Sequence, residues 1–107
     1  MNCWDLAVVF YKNIFGIDMR SIYDGPTPER EMSKKIIYTN IGEFYKADSP
    51  EFGDIILLKI RGIESHIAIY LENDRMLHTS KATGSVIDFV SRWQKVIVGF
   101  YRVKRTA

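Results

Sequence analysis

A chain of 107 residues that is 47% hydrophobic and 26% charged is long enough for one domain with one core, and it excludes a disordered polymer. A net charge of +2 gives no argument for nucleic acid, and no apolar run approaches the ~20 residues of a membrane span. A single cysteine, Cys3, excludes an internal disulfide or a multi-thiolate metal centre, and the two histidines, His66 and His78, form no HExxH-like pair.

Asn2-Cys3-Trp4-Asp5 opens a helix: Asn2 is a good N-cap, Asp5 stands where a capping box puts its acid, and Leu6, Ala7, Phe10 and Ile14 continue an apolar stripe. Gly16 supplies the stop. Cys3 falls in the first turn, where unpaired N–H groups and the positive end of the helix dipole favour thiolate over thiol. A free cysteine is more often a small buried apolar residue, and Cys3 alone does not decide between the two. Thr27-Pro28-Glu29 reads as a second helix start, with a hydroxyl cap, proline at the first helical position and an acid in the first turn.

Ser49 to Asp54 is a break, and Ile55-Ile56-Leu57-Leu58 after it fits a central strand. Ser65 to Ser80 reads as two strands around the turn Glu72-Asn73-Asp74, with His66 at the start of one and His78 near the end of the other. Val86 to Val90 fits either a further strand or a short helix, and Val96 to Val103 the last strand. Trp93 is expected to pack on the sheet and to need a partner for its indole N–H. Arg102, Lys104 and Arg105 read as a solvated basic end. The order is helices followed by an antiparallel sheet, an α+β fold with the helices to one side, and residues 1–107 form one domain.

A cysteine on a helix start with histidines on two consecutive strands resembles the NlpC/P60 cysteine peptidases, a papain-like fold reduced to one compact domain. The matching stretches are Asn2 to Leu6, Pro50 to Ile55, Ser65 to Leu71 and Arg75 to His78, with Gly99 to Arg102 as a weaker one. Tryptophan directly after the cysteine looks most like the branch found in bacteriophage tail assembly proteins. The resemblance implies that Cys3 is the nucleophile, His66 the general base and His78 the residue that orients it, with no metal or cofactor. A thiolate that attacks an amide carbonyl, beside an imidazole that takes and returns the proton, suits those residue types.

The implied reaction is hydrolysis of peptidoglycan stem peptides, of the γ-D-glutamyl-diaminopimelate type. The implied partners are that peptide and other phage tail proteins, without nucleic acid or membrane. The implied location is the virion, or the host cytoplasm before assembly, and the chain opens with no basic-plus-apolar leader. Two alternatives stand beside this reading: a structural tail component with little activity, and an acyltransferase or amidase on the same scaffold. Only Met1 and Asn2 precede Cys3, where the family carries a segment with a tyrosine near the oxyanion site. The backbone N–H of Cys3 is then the expected donor to the oxyanion.

If the two histidines act together, parity constrains the hairpin. Both numbers are even, and alternate residues of a strand share a face, as do residues paired across the hairpin. A two-residue turn would send the rings to opposite faces. A three-residue loop, Glu72 to Asp74, pairs Leu71 with Arg75, puts Asp74 in the left-handed region as the last residue of a type I turn, and unites the rings on a face turned toward Cys3.

Overall fold

Helix α1 (Cys3–Phe15) begins and ends where its sequence directs, with Gly16 at φ +67° accepting the left-handed conformation that closes it. The computed structural model describes residues 3–21, 44–60, 63–80 and 84–104, so the expected helix from Thr27 and the cap Asn2 lie outside the described residues. The stripe of α1 that turns inward is Cys3, Trp4, Leu6, Ala7 and Tyr11. Ile14, expected on that stripe, is 53% exposed, and Phe15 packs against the core in its place. A short 3₁₀ turn, Met19–Ser21, follows and buries Met19 completely. Asp5 stands 3.6 Å from Arg20, a pair too exposed to add much stability.

Six described strands then form one antiparallel sheet: β1 (Phe44–Ala47), β2 (Ile55–Ile60), β3 (Ile63–Tyr70), β4 (Arg75–Ser80), β5 (Gly84–Phe89) and β6 (Ile97–Val103). Their order is β1-β6-β2-β3-β4-β5, so β6 closes back between the first two. The segment left open between strand and helix resolves into both. β5 runs to Phe89, and a 3₁₀ helix spans Val90–Val96. The fold is α+β, with the N-terminal helix packed on an antiparallel sheet.

The unbroken apolar run of β2 has a direct cause. Ile55, Ile56, Leu57 and Leu58 are all fully buried because the sheet is covered on both sides. Ile55 and Leu57 join Ile67, Ile69 and the inward stripe of α1. Ile56 and Leu58 join Ala68, Met76 and Val90 on the other side, where Trp93 and Val96 of the 3₁₀ helix close over them.

A clamp ties β6 to the start of β2. Asp54, 2% exposed, receives Nε of Arg102 at 2.9 Å and Nη2 at 2.8 Å, the two-pronged geometry that suits guanidinium and carboxylate. Arg102 also reaches Glu51 at 3.0 Å and the Ser49 carbonyl at 3.1 Å. Its pKa is raised above the usual arginine range, chiefly by the bonds to Asp54. The reading of Arg102 as part of a solvated basic end is therefore corrected: its charge is spent on a carboxylate that water does not reach. Next to the clamp, Gly53 accepts the Tyr11 hydroxyl and donates to the Tyr70 carbonyl at 2.8 Å. Its φ of +90° suits glycine, and a Cβ there would lie 2.5 Å from Cζ of Phe15.

Candidate active site

The β3–β4 hairpin has the odd loop that parity requires. Ile69 pairs with Leu77 and Tyr70 with Met76, and the Leu71 N–H donates to the Arg75 carbonyl at 2.8 Å. Residues 72–74 form the loop, with Asn73 and Asp74 both at φ +61°. The left-handed stretch thus covers two residues rather than Asp74 alone, so the loop is not a plain type I turn with one left-handed residue after it. Asparagine and aspartate are the side chains that tolerate this region best.

This register brings the histidines together. Extended by one residue, it sets His78 against Ala68, and the rings of His66 and His78 lie edge to face with centroids 5.9 Å apart. The small Ala68 leaves room for that approach. His78 is buried at 5% exposure, whereas His66 is half-buried.

Cys3 sits in the first turn of α1, 2% exposed, in the cluster that contains Ile67 and Ile69. His78 packs against Trp93, 5.2 Å between ring centroids, and Trp93 belongs to the cluster on the other side of the sheet. His66 pairs with Leu58, which belongs there too. The two imidazoles share one face of the hairpin, as parity requires. Side chains alternate along β3, and α1 covers the face of the odd-numbered residues. The register of β3 against β2 slips between Leu58 and Lys59, beside His66, and such a bulge re-aims side chains at a strand end. The Tyr11 end of α1 is bound at Gly53, which bonds Tyr70 at the far end of β3.

Asp88, on β5, was not singled out from sequence. Its Oδ2 lies 3.4 Å from Nε2 of His78 and accepts the Trp93 indole N–H at 3.2 Å. Its Oδ1 accepts the Phe89 N–H at 3.3 Å and lies 3.7 Å from Arg92. The Trp93 bond first, then those of His78 and Phe89, hold its carboxyl below the ordinary aspartate range, against partial burial that works to raise it. The need of Trp93 for an acceptor was the one signal in the sequence that pointed here. The other ring nitrogen of His78, Nδ1, is buried without a hydrogen-bond partner. Among the described residues no group of three His, Cys, Asp or Glu is placed to hold a metal ion, and no helix is long and apolar enough to cross a membrane.

The model of the NlpC/P60 family matches residues 1–102, and the chain belongs to that family. Among solved structures it is similar to the NlpC/p60 domain of peptidoglycan hydrolase SagA, with a TM-score of 0.58 at 16% identity. The likeness covers 98% of this chain and 77% of that one, and at this identity it speaks for the fold. No curated protein sequence matches the chain.

Proposed function

We propose that the protein is a cysteine peptidase of bacterial cell walls, with Cys3 as nucleophile, His66 as general base and His78 as the residue that orients His66. The observation that carries this reading is the edge-to-face contact of His66 and His78, 5.9 Å apart, in a chain that belongs to a family of hydrolases. The Cys3 thiol gives its proton to His66 and the thiolate attacks the peptide carbonyl. His66 returns the proton to the leaving amine, and water then releases the acyl group. Backbone N–H groups of the first turn of α1 receive the oxyanion. The substrate is a stem peptide of the γ-D-glutamyl-diaminopimelate type. Support for the wall as target is the similar SagA domain, whose protein is a peptidoglycan hydrolase. Trp4 directly after Cys3 supports a place in a bacteriophage tail, although its 3% exposure also makes it a core residue of α1.

One observation favours a second reading, in which the fold serves assembly and hydrolyses little. Cys3 is 2% exposed, a member of the apolar cluster that packs α1 on the sheet. Purified sacculi of several wall chemotypes separate the two. Wild type is expected to release new amino groups, and Cys3→Ala to release none. Equal release by both, or none by wild type on any wall, sinks the peptidase reading. Mass spectrometry of acylated Cys3, with amine acceptors added, would show transfer in place of hydrolysis.

A further inference from the structure

The triad leaves one buried atom without a role, Nδ1 of His78, and one carboxylate without an assignment, Asp88. An ionised carboxylate only accepts hydrogen bonds, so the imidazole nitrogen that faces it must carry the proton. In neutral His78 that nitrogen is Nε2, 3.4 Å from Asp88 Oδ2, which leaves Nδ1 as a bare acceptor. The ring of His66 lies edge to face with His78, its centroid 5.9 Å away.

We propose that Asp88 is a positioning residue: it fixes His78 as the Nε2–H tautomer, so that His78 Nδ1 can accept an N–H of His66 when His66 takes the proton of Cys3. This rests on the proposed role of His66 as base. The thiol proton moves to His66 and later to the leaving amine, while His78 and Asp88 keep their own protonation throughout. The groups that face Asp88 are consistent with a carboxylate held ionised. His78 approaches from β4, Trp93 and Arg92 from the 3₁₀ helix, and the Phe89 N–H from its own strand. Trp93 adds a second constraint, because it donates to the same oxygen and packs on the His78 ring. Carboxylates that orient an imidazole through its far nitrogen act in this way in other active sites.

Nitrogen-15 NMR of the histidine side chains tests the assignment on the whole chain. Wild type is expected to show His78 with Nε2 protonated and Nδ1 bare, with the Nε2–H exchanging slowly. Asp88→Ala is expected to speed that exchange about tenfold, and Asp88→Glu to slow it again. A wild-type His78 protonated on Nδ1, or an exchange rate that Asp88→Ala leaves unchanged, overturns the proposal. Should Asp88→Ala not fold, Trp93→Phe decides, because it keeps the carboxylate: a bare Nδ1 is expected there, and its loss overturns the proposal. In the sacculus assay Asp88→Ala is expected to lower kcat by about 10–100-fold with KM little changed, and an unchanged kcat overturns it. The tautomer readout does not depend on hydrolysis. A protein that hydrolyses nothing but shows the expected exchange pattern would sink the peptidase reading and support the placement of His78 by Asp88.

Discussion

Asp54 and Asp88 each gather several N–H donors, but around different partners: the guanidinium of Arg102 and the imidazole of His78. Asp54 is almost completely buried and held in two places by Arg102. Asp88 has 28% of its side chain exposed and shares one oxygen between His78 and Trp93. The first arrangement makes a fixed joint between β6 and the start of β2. The second leaves a partner whose proton can be governed. A buried carboxylate demands a permanent cation, whereas one that water reaches can be matched to neutral N–H donors.

The sharpest way to break this contrast is Arg102→Ala. It leaves the Asp54 carboxylate buried with only the Glu51 N–H, at 2.7 Å, still donating to it. Stripping one partner from a buried pair costs about 3 kcal/mol, the low end of the usual range, since the Arg102 side chain is itself 22% exposed. Urea unfolding should show the loss as a lower midpoint at unchanged slope. A change under about 1 kcal/mol would mean that water reaches Asp54 and that the two aspartates differ less than their exposure says.

Gly53→Ala attacks the same joint from the backbone. The new Cβ would meet the Phe15 ring at 2.5 Å, at a φ of +90° that alanine rarely adopts. Together the overlap and the strain cost about 2–3 kcal/mol. Phe15→Leu should recover part of it by removing the ring edge, and no recovery would assign the whole cost to the backbone.

Changing pH separates Asp88 from Arg102 by sign. The Asp88 carboxyl is held below its ordinary range, so its contribution to stability is full above the unfolded value of ~3.9 and is lost as pH falls through the folded value. The difference in urea midpoint between wild type and Asp88→Ala should be constant from pH 7 to pH 5 and shrink at pH 3. Arg102 has a raised pKa, so its contribution is full below the ordinary arginine range and is lost only in strong alkali. A wild-type advantage over Asp88→Ala that persists unchanged at pH 3 would remove the charge from the account of Asp88.

How much of this was legible follows from what each residue's neighbours in sequence reveal. Gly16, the run Ile55 to Leu58 and the parity of His66 and His78 carried their own geometry, and α1, the central strand and the odd loop followed. β1 did not, because four residues with only Phe44 and Ala47 buried show no period. Ile14 was misread because a stripe spaced for a helix does not say where the sheet beneath it ends. Arg102 and Asp88 were invisible for a shared reason: their partners, Asp54 and His78, are 48 and 10 residues away and meet them only across the folded sheet. The face of the sheet that α1 covers was beyond reach too, since both faces are equally apolar in β2.

The smallest effect is expected at the hairpin tip, where the register that unites the histidines is set. Asp74 stands at φ +61°, and its carbonyl accepts the Val90 N–H at 2.7 Å, so backbone bonds hold the loop. Asp74→Gly removes the steric cost of a side chain in the left-handed region, about 1 kcal/mol, but gives the unfolded chain more freedom to lose, about half of that or more. The two nearly cancel, and the net change should lie within about 0.5 kcal/mol of zero. Asp74→Val should instead cost about 1–2 kcal/mol, since a β-branched side chain fits that region worst. The loop must stay odd in both, because the Leu71 to Arg75 bond uses only main chain. A nuclear Overhauser contact between the rings of His66 and His78 should therefore survive both substitutions. Its loss in Asp74→Gly would show that the aspartate side chain, and not the backbone, sets the register.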